Sequence, residues 1–399
     1  MLVVSIARLG VPQVYGFLGA TLVICLSKGS LWLEVFKAAV SSLAHVDSID
    51  LVLSIGLITM LGRLMQAYGY LGKMASSLGS IARRREIAVM AVPALLGTLS
   101  TYGGAILSAP AVEALGKELG LSPLKDAAIN IIFRHTLIFV NPFSPTLILA
   151  AKAGMVSIRH LILLQFPLFL VMFWSGYRVL FRGVALPGKA SAQQPNASSV
   201  RDFLASAAPL LVCITLAAVV GLKVMYSAGV GLAYVMVQQR RKLSLEALQR
   251  ATDLWLVGAV AGIVLYKGAM SQLEFVSFFV EWCRKAGVSL EALAVVMCLL
   301  LGLSSGSSQT PIAVVLPLVV VGNPPYPVRL FFASLVYVTS VLAYVVSPLH
   351  LCQILTTEYF KVKTEQVYAE YWPVIAVTAV ASSALYLVFR ATITPMAQL

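Results

Sequence analysis

GLSSGSSQTPIAVVLPLV (302–319) sits inside one long apolar stretch, and GTLSTYGGAILSAPAV (97–112) sits inside another. Each sets small and hydroxyl-bearing residues, then a proline, where an unbroken helix needs neither. In hydrocarbon a helix break leaves backbone N–H and C=O groups without partners, at several kcal/mol per group. Such breaks persist at membrane depth only when packed in protein or facing a water-filled cavity. The rest of the chain is read around these two stretches.

Composition supports the membrane setting. Of the 399 residues 59% are hydrophobic and only 11% charged, against about 25% charged in soluble domains. The net charge of +13 does not describe a nucleic-acid binder, because the basic residues fall in short connections between apolar runs, the pattern that orients membrane spans. The five cysteines (Cys25, Cys213, Cys283, Cys298, Cys352) include no CxxC pair and read as small buried hydrophobes. Residues 1–28 read as a span, since no small-residue cleavage pattern precedes Lys28.

Apolar runs near the ~20 residues that a bilayer requires occur at 9–28, 48–70, 158–181, 203–222, 254–273 and 366–390, with a shorter one at 223–238. Two pairs are interrupted. Segments 86–116 and 290–321 hold the Gly/Ser-rich breaks, and 124–156 and 326–360 hold mid-segment prolines. Segments 31–45 and 243–253 read as amphipathic interfacial helices. With a cytoplasmic N-terminus and re-entrant broken pairs, the clusters Arg83-Arg84-Arg85 and Arg240-Arg241-Lys242 face the cytoplasm and the C-terminus lies outside. The expected location is the inner (cytoplasmic) membrane, crossed several times.

The two halves resemble each other at an offset of about 206 residues. The opening stretches align, and VNPFSPTLILAAKAG (140–154) aligns with VSPLHLCQILTTEYF (346–360). Gly62 pairs with Gly268, Gly97 with Gly302, Pro110 with Pro317, Pro142 with Pro348 and Pro167 with Pro373. The span at 203–222 has no counterpart, and one unpaired span turns the second copy upside down. The expected fold is all-α and polytopic: a first inverted repeat over 1–182, a linker and unpaired transmembrane helix over 183–222, and a second inverted repeat over 223–399. Each repeat carries a re-entrant hairpin and a proline-broken transmembrane helix. Many secondary transporters share this plan, with the site at the midplane.

The breaks supply the candidate site. The hairpin tips are Leu99-Ser100-Thr101-Tyr102-Gly103-Gly104 and Ser304-Ser305-Gly306-Ser307-Ser308-Gln309-Thr310. Their hydroxyls and freed carbonyls are hard oxygen ligands that suit Na⁺. The helix breaks are Asn141-Pro142, followed by Ser144, and Ser347-Pro348, followed by His350. Half-helices starting after them aim positive N-terminal ends at an anionic group. Arg134 could attract an anion, and His135 or His350 could carry a proton near neutral pH. Lys267 also lies within a span. The competing structural readings are a snorkelling arginine, core histidines with satisfied nitrogens, and Gly/Ser patches that only let helices pack closely.

FRHTLIFVNPFSPTLILAA (133–151) and SPLHLCQILTTEYF (347–360) resemble the domain-of-unknown-function family 401 of prokaryotic membrane proteins. That family is grouped with the ion transporter superfamily, which includes carriers of citrate, gluconate, lactate and dicarboxylates as well as arsenite and sodium/proton exchangers. The resemblance implies tip ligands at Ser100, Thr101, Ser304, Ser305, Ser308 and Thr310, with Asn141 and Ser347 at the breaks. A Na⁺ ion would then be held by Ser100, Thr101 and Asn141 in one half, and by Ser304, Ser308 and Ser347 in the other. The sequence departs from the superfamily's carboxylate carriers in lacking a Ser-Asn-Thr triplet at either tip. Thr136-Leu137-Ile138 also stand where the family carries an acidic residue.

The expected function is a symport-type secondary transporter that moves a small organic anion, coupled to Na⁺ or H⁺. It is not an enzyme and has no organic cofactor. Its partners are the anion and the lipid bilayer, with no nucleic acid, and a homodimer by analogy with carriers of this architecture. A nucleotide-driven pump would need a GxxxxGK[ST] loop, which the sequence lacks. The rivals are a cation/proton antiporter without an organic substrate and, from another class, an intramembrane enzyme or assembly scaffold.

Overall fold

The computed structural model describes residues 13–82, 84–98, 104–184, 197–240, 244–270, 272 and 285–393. Among them the chain is all-helical, with eighteen α-helices and no strand. It runs through α1 (Gln13–Ser27), a 3-10 turn at Gly29–Leu31, α2 (Trp32–Ala44), α3 (Val46–Ala67) and α4 (Tyr70–Ile81). Next come α5 (Arg85–Gly97) and α6 (Gly104–Glu118), which flank the first Gly/Ser-rich stretch, and then α7 (Pro123–Thr136), α8 (Pro145–Gly154) and α9 (Ile158–Leu180). α10 (Ala197–Ile214) continues into a π-helical turn at Thr215–Val220. The later helices are α11 (Val224–Gln238), α12 (Leu245–Ala251), α13 (Leu254–Met270), α14 (Leu290–Ser305), α15 (Gln309–Val319), α16 (Tyr326–Val345), α17 (Leu351–Phe360) and α18 (Thr364–Ile393).

Among the described residues five helices are long and apolar enough to cross a membrane: α3, α9, α10 with its extension, α16 and α18. A sixth span arises if α12 and α13, bent by 46° at their junction, count as one. The apolar runs at 9–28 and 223–238 form shorter helices of 15 residues each, α1 and α11. Exposed Leu163, Phe166, Leu170 and Trp174 recur at three- and four-residue steps along α9, while Leu161, Gln165, Leu168 and Met172 face inward. An exposed stripe of that kind suits lipid, not water. The protein is therefore a multi-pass membrane protein.

Centre and rim separate clearly. In α16, 78% of the apolar window is buried, against 28% for α9, α10 and α18. The short helices α8 and α15 pack against α16, and α7 meets it through the ring of Tyr344; all three are themselves largely buried. Elements from the two ends of the chain interleave: α1 packs on α13 and α11 on α3, α8 on α15 and α17 on α6, and α9 on α18.

Local details recur in matched positions. α8 and α17 are both ten-residue helices that follow a break, and each ends on a non-glycine residue in the left-handed conformation, Met155 (φ 53°) and Lys361 (φ 54°). The next residue closes both ends alike, with Val156 N donating to Ala151 O at 2.9 Å and Val362 N to Thr357 O at 3.1 Å. Gly97 and Gly302 also serve one purpose. A methyl group on Gly97 would strike the Arg134 carbonyl, and one on Gly302 would lie 2.6 Å from Ala343 Cβ. Each glycine lets a hairpin helix approach a broken helix more closely than any side chain would allow.

Candidate functional site

Both broken helices stop at a polar residue that turns back on a hairpin helix. After α7 the chain passes a 3-10 turn at Leu137–Phe139 and reaches Asn141. The Asn141 amide donates to Thr98 O at 2.8 Å, and its Oδ1 accepts from Phe143 N at 3.0 Å. Ser144 then caps α8, accepting from Leu147 N, with Pro145 in the first turn. In the other half, Ser347 Oγ donates to Leu303 O at 2.7 Å and accepts from Leu349 N at 3.2 Å. His350 occupies the cap position of α17. Asparagine and serine, unlike in size, thus do the same work: each satisfies a carbonyl left over at a hairpin helix end.

At the second hairpin tip, Gly306 ends α14 with a φ of 59°. The Ser304 and Ser305 hydroxyls turn back on their own helix, to Leu300 O at 2.5 Å and Leu301 O at 2.6 Å. Ser307 Oγ accepts from Gln309 N and Thr310 N, opening α15. Ser308 reaches across to Thr146 of α8 at 3.0 Å. Thr310 is fully buried, and its hydroxyl oxygen has no hydrogen-bond partner. Ser100, Thr101, Tyr102 and Gly103 lie outside the described residues. Pro142 and Pro348 stand in the breaks, Pro142 on the wall of a cavity and Pro348 exposed.

A polar cluster lies where α7 meets the second break. The His135 and His350 rings meet edge-on with centroids 4.7 Å apart, and Tyr344 lies against both, at 5.6 Å and 4.0 Å. His135 Nδ1 donates to Ile131 O at 2.7 Å. His350 is fully buried, and neither of its nitrogens makes a well-formed hydrogen bond, with the Cys352 side chain and the Val345 backbone beside it. Arg134 is 6% exposed, and its Nη1 lacks a partner. None of the described ion pairs involves Arg134. The Arg134 guanidinium stays inside the protein.

A cavity of about 1380 Å³ runs from the ends of α2 and α3 past α8 and α13, reaching Pro142 at the first break and Pro317 of α15. Asp50, Ser54, Lys152 and Lys267 line it. Lys152 Nζ bonds Asp50 at 2.7 Å and Asp47 at 3.0 Å, tying α8 to the first turn of α3. In the helix before the first break, buried Asn130 of α7 joins Ser108 of α6 (2.6 Å) and Thr356 of α17 (3.0 Å).

Reading the sequence alone overlooks Asp50, Lys152, Asn130, Tyr344, Thr356 and Cys352. Asp50 and Lys152 carry a visible signal, as charges inside apolar runs. The other four are ordinary residues, each with at least one partner far away along the chain.

No curated protein matches this chain. The family model described as "Protein of unknown function (DUF401)" matches residues 6–389, nearly the whole chain. This protein, with its paired hairpin and helix breaks, belongs to the DUF401 family.

Proposed function

We propose that the protein is a secondary transporter of a small organic anion, coupled to Na⁺ or H⁺, built as two inverted repeats and related to the ion transporter superfamily. The observation that carries the reading is Arg134: a buried guanidinium with an unpartnered Nη1 and no described ion pair, one residue before His135. A buried cation without a counter-ion is costly unless an anion visits it. The matched bonds Asn141–Thr98 and Ser347–Leu303, and the matched ends of α8 and α17, support the two-copy plan. The interleaving of α1 with α13 and α11 with α3 also supports it. In this reading the protein lies in the cytoplasmic membrane with its N-terminus inside and C-terminus outside, and the cavity reaching Pro142 is the route to the site from one face. Ser308, Thr310, Asn141 and Ser347 supply neutral oxygens for a coupling ion.

A second reading, cation/proton exchange without organic cargo, draws on the buried Asp50 and its Lys152 partner, the carboxylate–amine chemistry such exchange uses. Purified protein in liposomes distinguishes the two. Uptake of a labelled mono- or dicarboxylate driven by an inward Na⁺ or pH gradient supports the carrier. Failure across a broad anion panel, with robust pH-driven cation exchange, replaces it with the exchanger.

A further inference from the structure

Cys352 lies two residues beyond His350, and the fold brings His135 of α7 to the same point. One ligand atom from each of His135, His350 and Cys352 falls within 4.8 Å of the others. We propose that these three side chains form a binding site for one borderline-soft divalent cation, with Zn²⁺ as the type ion. The site goes beyond the carrier reading and stands without it.

The geometry is close to what such an ion demands. Zinc takes imidazole nitrogen at about 2.0 Å and thiolate sulfur at about 2.3 Å in a tetrahedron. Ligand atoms around it then lie roughly 3.3–3.8 Å apart. Closing the observed triangle takes a movement of about 1 Å, within the reach of side-chain rotation.

The hydrogen bonding points the same way. A fully buried imidazole without a well-formed hydrogen bond is costly, and His350, with the Cys352 thiol against it, is one. A metal bond would use the single lone pair that its neutral ring offers. His135 is already oriented as metal-bound histidines are: Nδ1 donates to the Ile131 carbonyl, which keeps the Nε2 lone pair available. Tyr344 packs against both rings and restrains them.

Donor chemistry selects the ion. Two imidazoles and a thiolate favour Zn²⁺ and its transition-metal neighbours over Na⁺, Mg²⁺ or Ca²⁺, which take oxygen. Binding releases the thiol proton to solvent, and the thiolate cancels half of the ion's charge. The neighbouring Arg134 opposes a dication but favours that thiolate. Three protein ligands leave a fourth position open, as in exchangeable sites and not in closed structural ones. The ion would also link α7 to α17, elements from opposite ends of the chain.

The test uses full-length protein in detergent, titrated anaerobically with Co²⁺ as the probe and then with Zn²⁺. The expected result is one equivalent of Co²⁺ with the visible bands of four-coordinate cobalt and a thiolate charge-transfer band, all displaced by Zn²⁺. Cys352→Ser loses the charge-transfer band, and His135→Ala and His350→Ala each weaken binding at least tenfold. A wild-type protein that binds no Co²⁺ or Zn²⁺ saturably overturns the site, as does a Cys352→Ser variant that keeps the thiolate band. X-ray absorption of the zinc-loaded wild type covers any variant that fails to fold. One sulfur and at least two imidazole nitrogens around zinc support the assignment, and a shell without sulfur refutes it. None of these readouts involves transport, so the site and the carrier reading can fail separately.

Discussion

Thr146 and Ser308 share a hydrogen bond at 3.0 Å, although 162 residues separate them. Thr146 lies in the first turn of the half-helix after the first break, and Ser308 starts the second arm of the second hairpin. The bond joins a broken helix of one half to the hairpin tip of the other. Replacing either residue by alanine is expected to lower stability by about 0.6 kcal/mol, the typical size of such a bond inside a membrane protein. The double variant should cost less than the sum of the two, which thermal unfolding in detergent would measure. Additive losses would mean that the pair is not coupled.

Gly306→Ala tests the tip itself. The residue has a φ of 59°, and a methyl group there would lie 2.5 Å from the Leu349 carbonyl oxygen. Left-handed alanine costs about 1–2 kcal/mol before any clash, so a total loss of about 2 kcal/mol or more is expected. Since Leu349 belongs to the second break, transport should fall even where the variant still folds. An unchanged melting temperature would contradict this geometry.

Arg134→Gln is expected to raise the KM for anion uptake about tenfold or more, the equivalent of one charged hydrogen bond. Arg134→Lys should recover part of that loss, since it restores the charge but not the planar fork. Uptake assays across both variants measure the split. Equal uptake by all three proteins would remove Arg134 from the anion's path.

Asp50→Asn separates the carrier from the exchanger. Lys152 keeps its contact with the exposed Asp47, so the expected stability loss is only about 1 kcal/mol. In the carrier reading, gradient-driven anion uptake survives the change. Loss of pH-driven cation exchange with no anion uptake in either protein would favour the exchanger.

Topology is checked with single cysteines in a cysteine-free background. Ala190→Cys should label from the cytoplasmic side and Pro395→Cys from the outside, using membrane-impermeant maleimide on cells and inverted vesicles. Labelling of both from one face would refute the drawn orientation.

The long elements were legible because a bilayer imposes a length. The runs at 48–70 and 158–181 become Val46–Ala67 and Ile158–Leu180, with the ends displaced by three residues at most. The segments at 31–45 and 243–253 become the short helices α2 and α12 for a related reason: their apolar residues recur at helical spacing. The breaks were legible as well, because glycine and proline mark them directly. What each break residue does was not. Asn141 and Ser347 share no side-chain chemistry beyond a donor and an acceptor, yet both satisfy a hairpin carbonyl more than forty residues away.

Composition and the spacing of helix-breaking residues, read without coordinates, were sufficient to determine an all-helical, multi-pass chain with breaks in matched positions. Local chemistry and bilayer thickness govern those features, and both act along the chain. The meeting of His135 with His350 and Cys352, of Thr146 with Ser308, and of Lys152 with Asp50 was decided only by the tertiary structure. Each pairing depends on which buried helix faces touch once α7 packs on α17, and α8 on α15 and α3. Apolar packing among helices of similar composition has many solutions, and only the folded arrangement selects one.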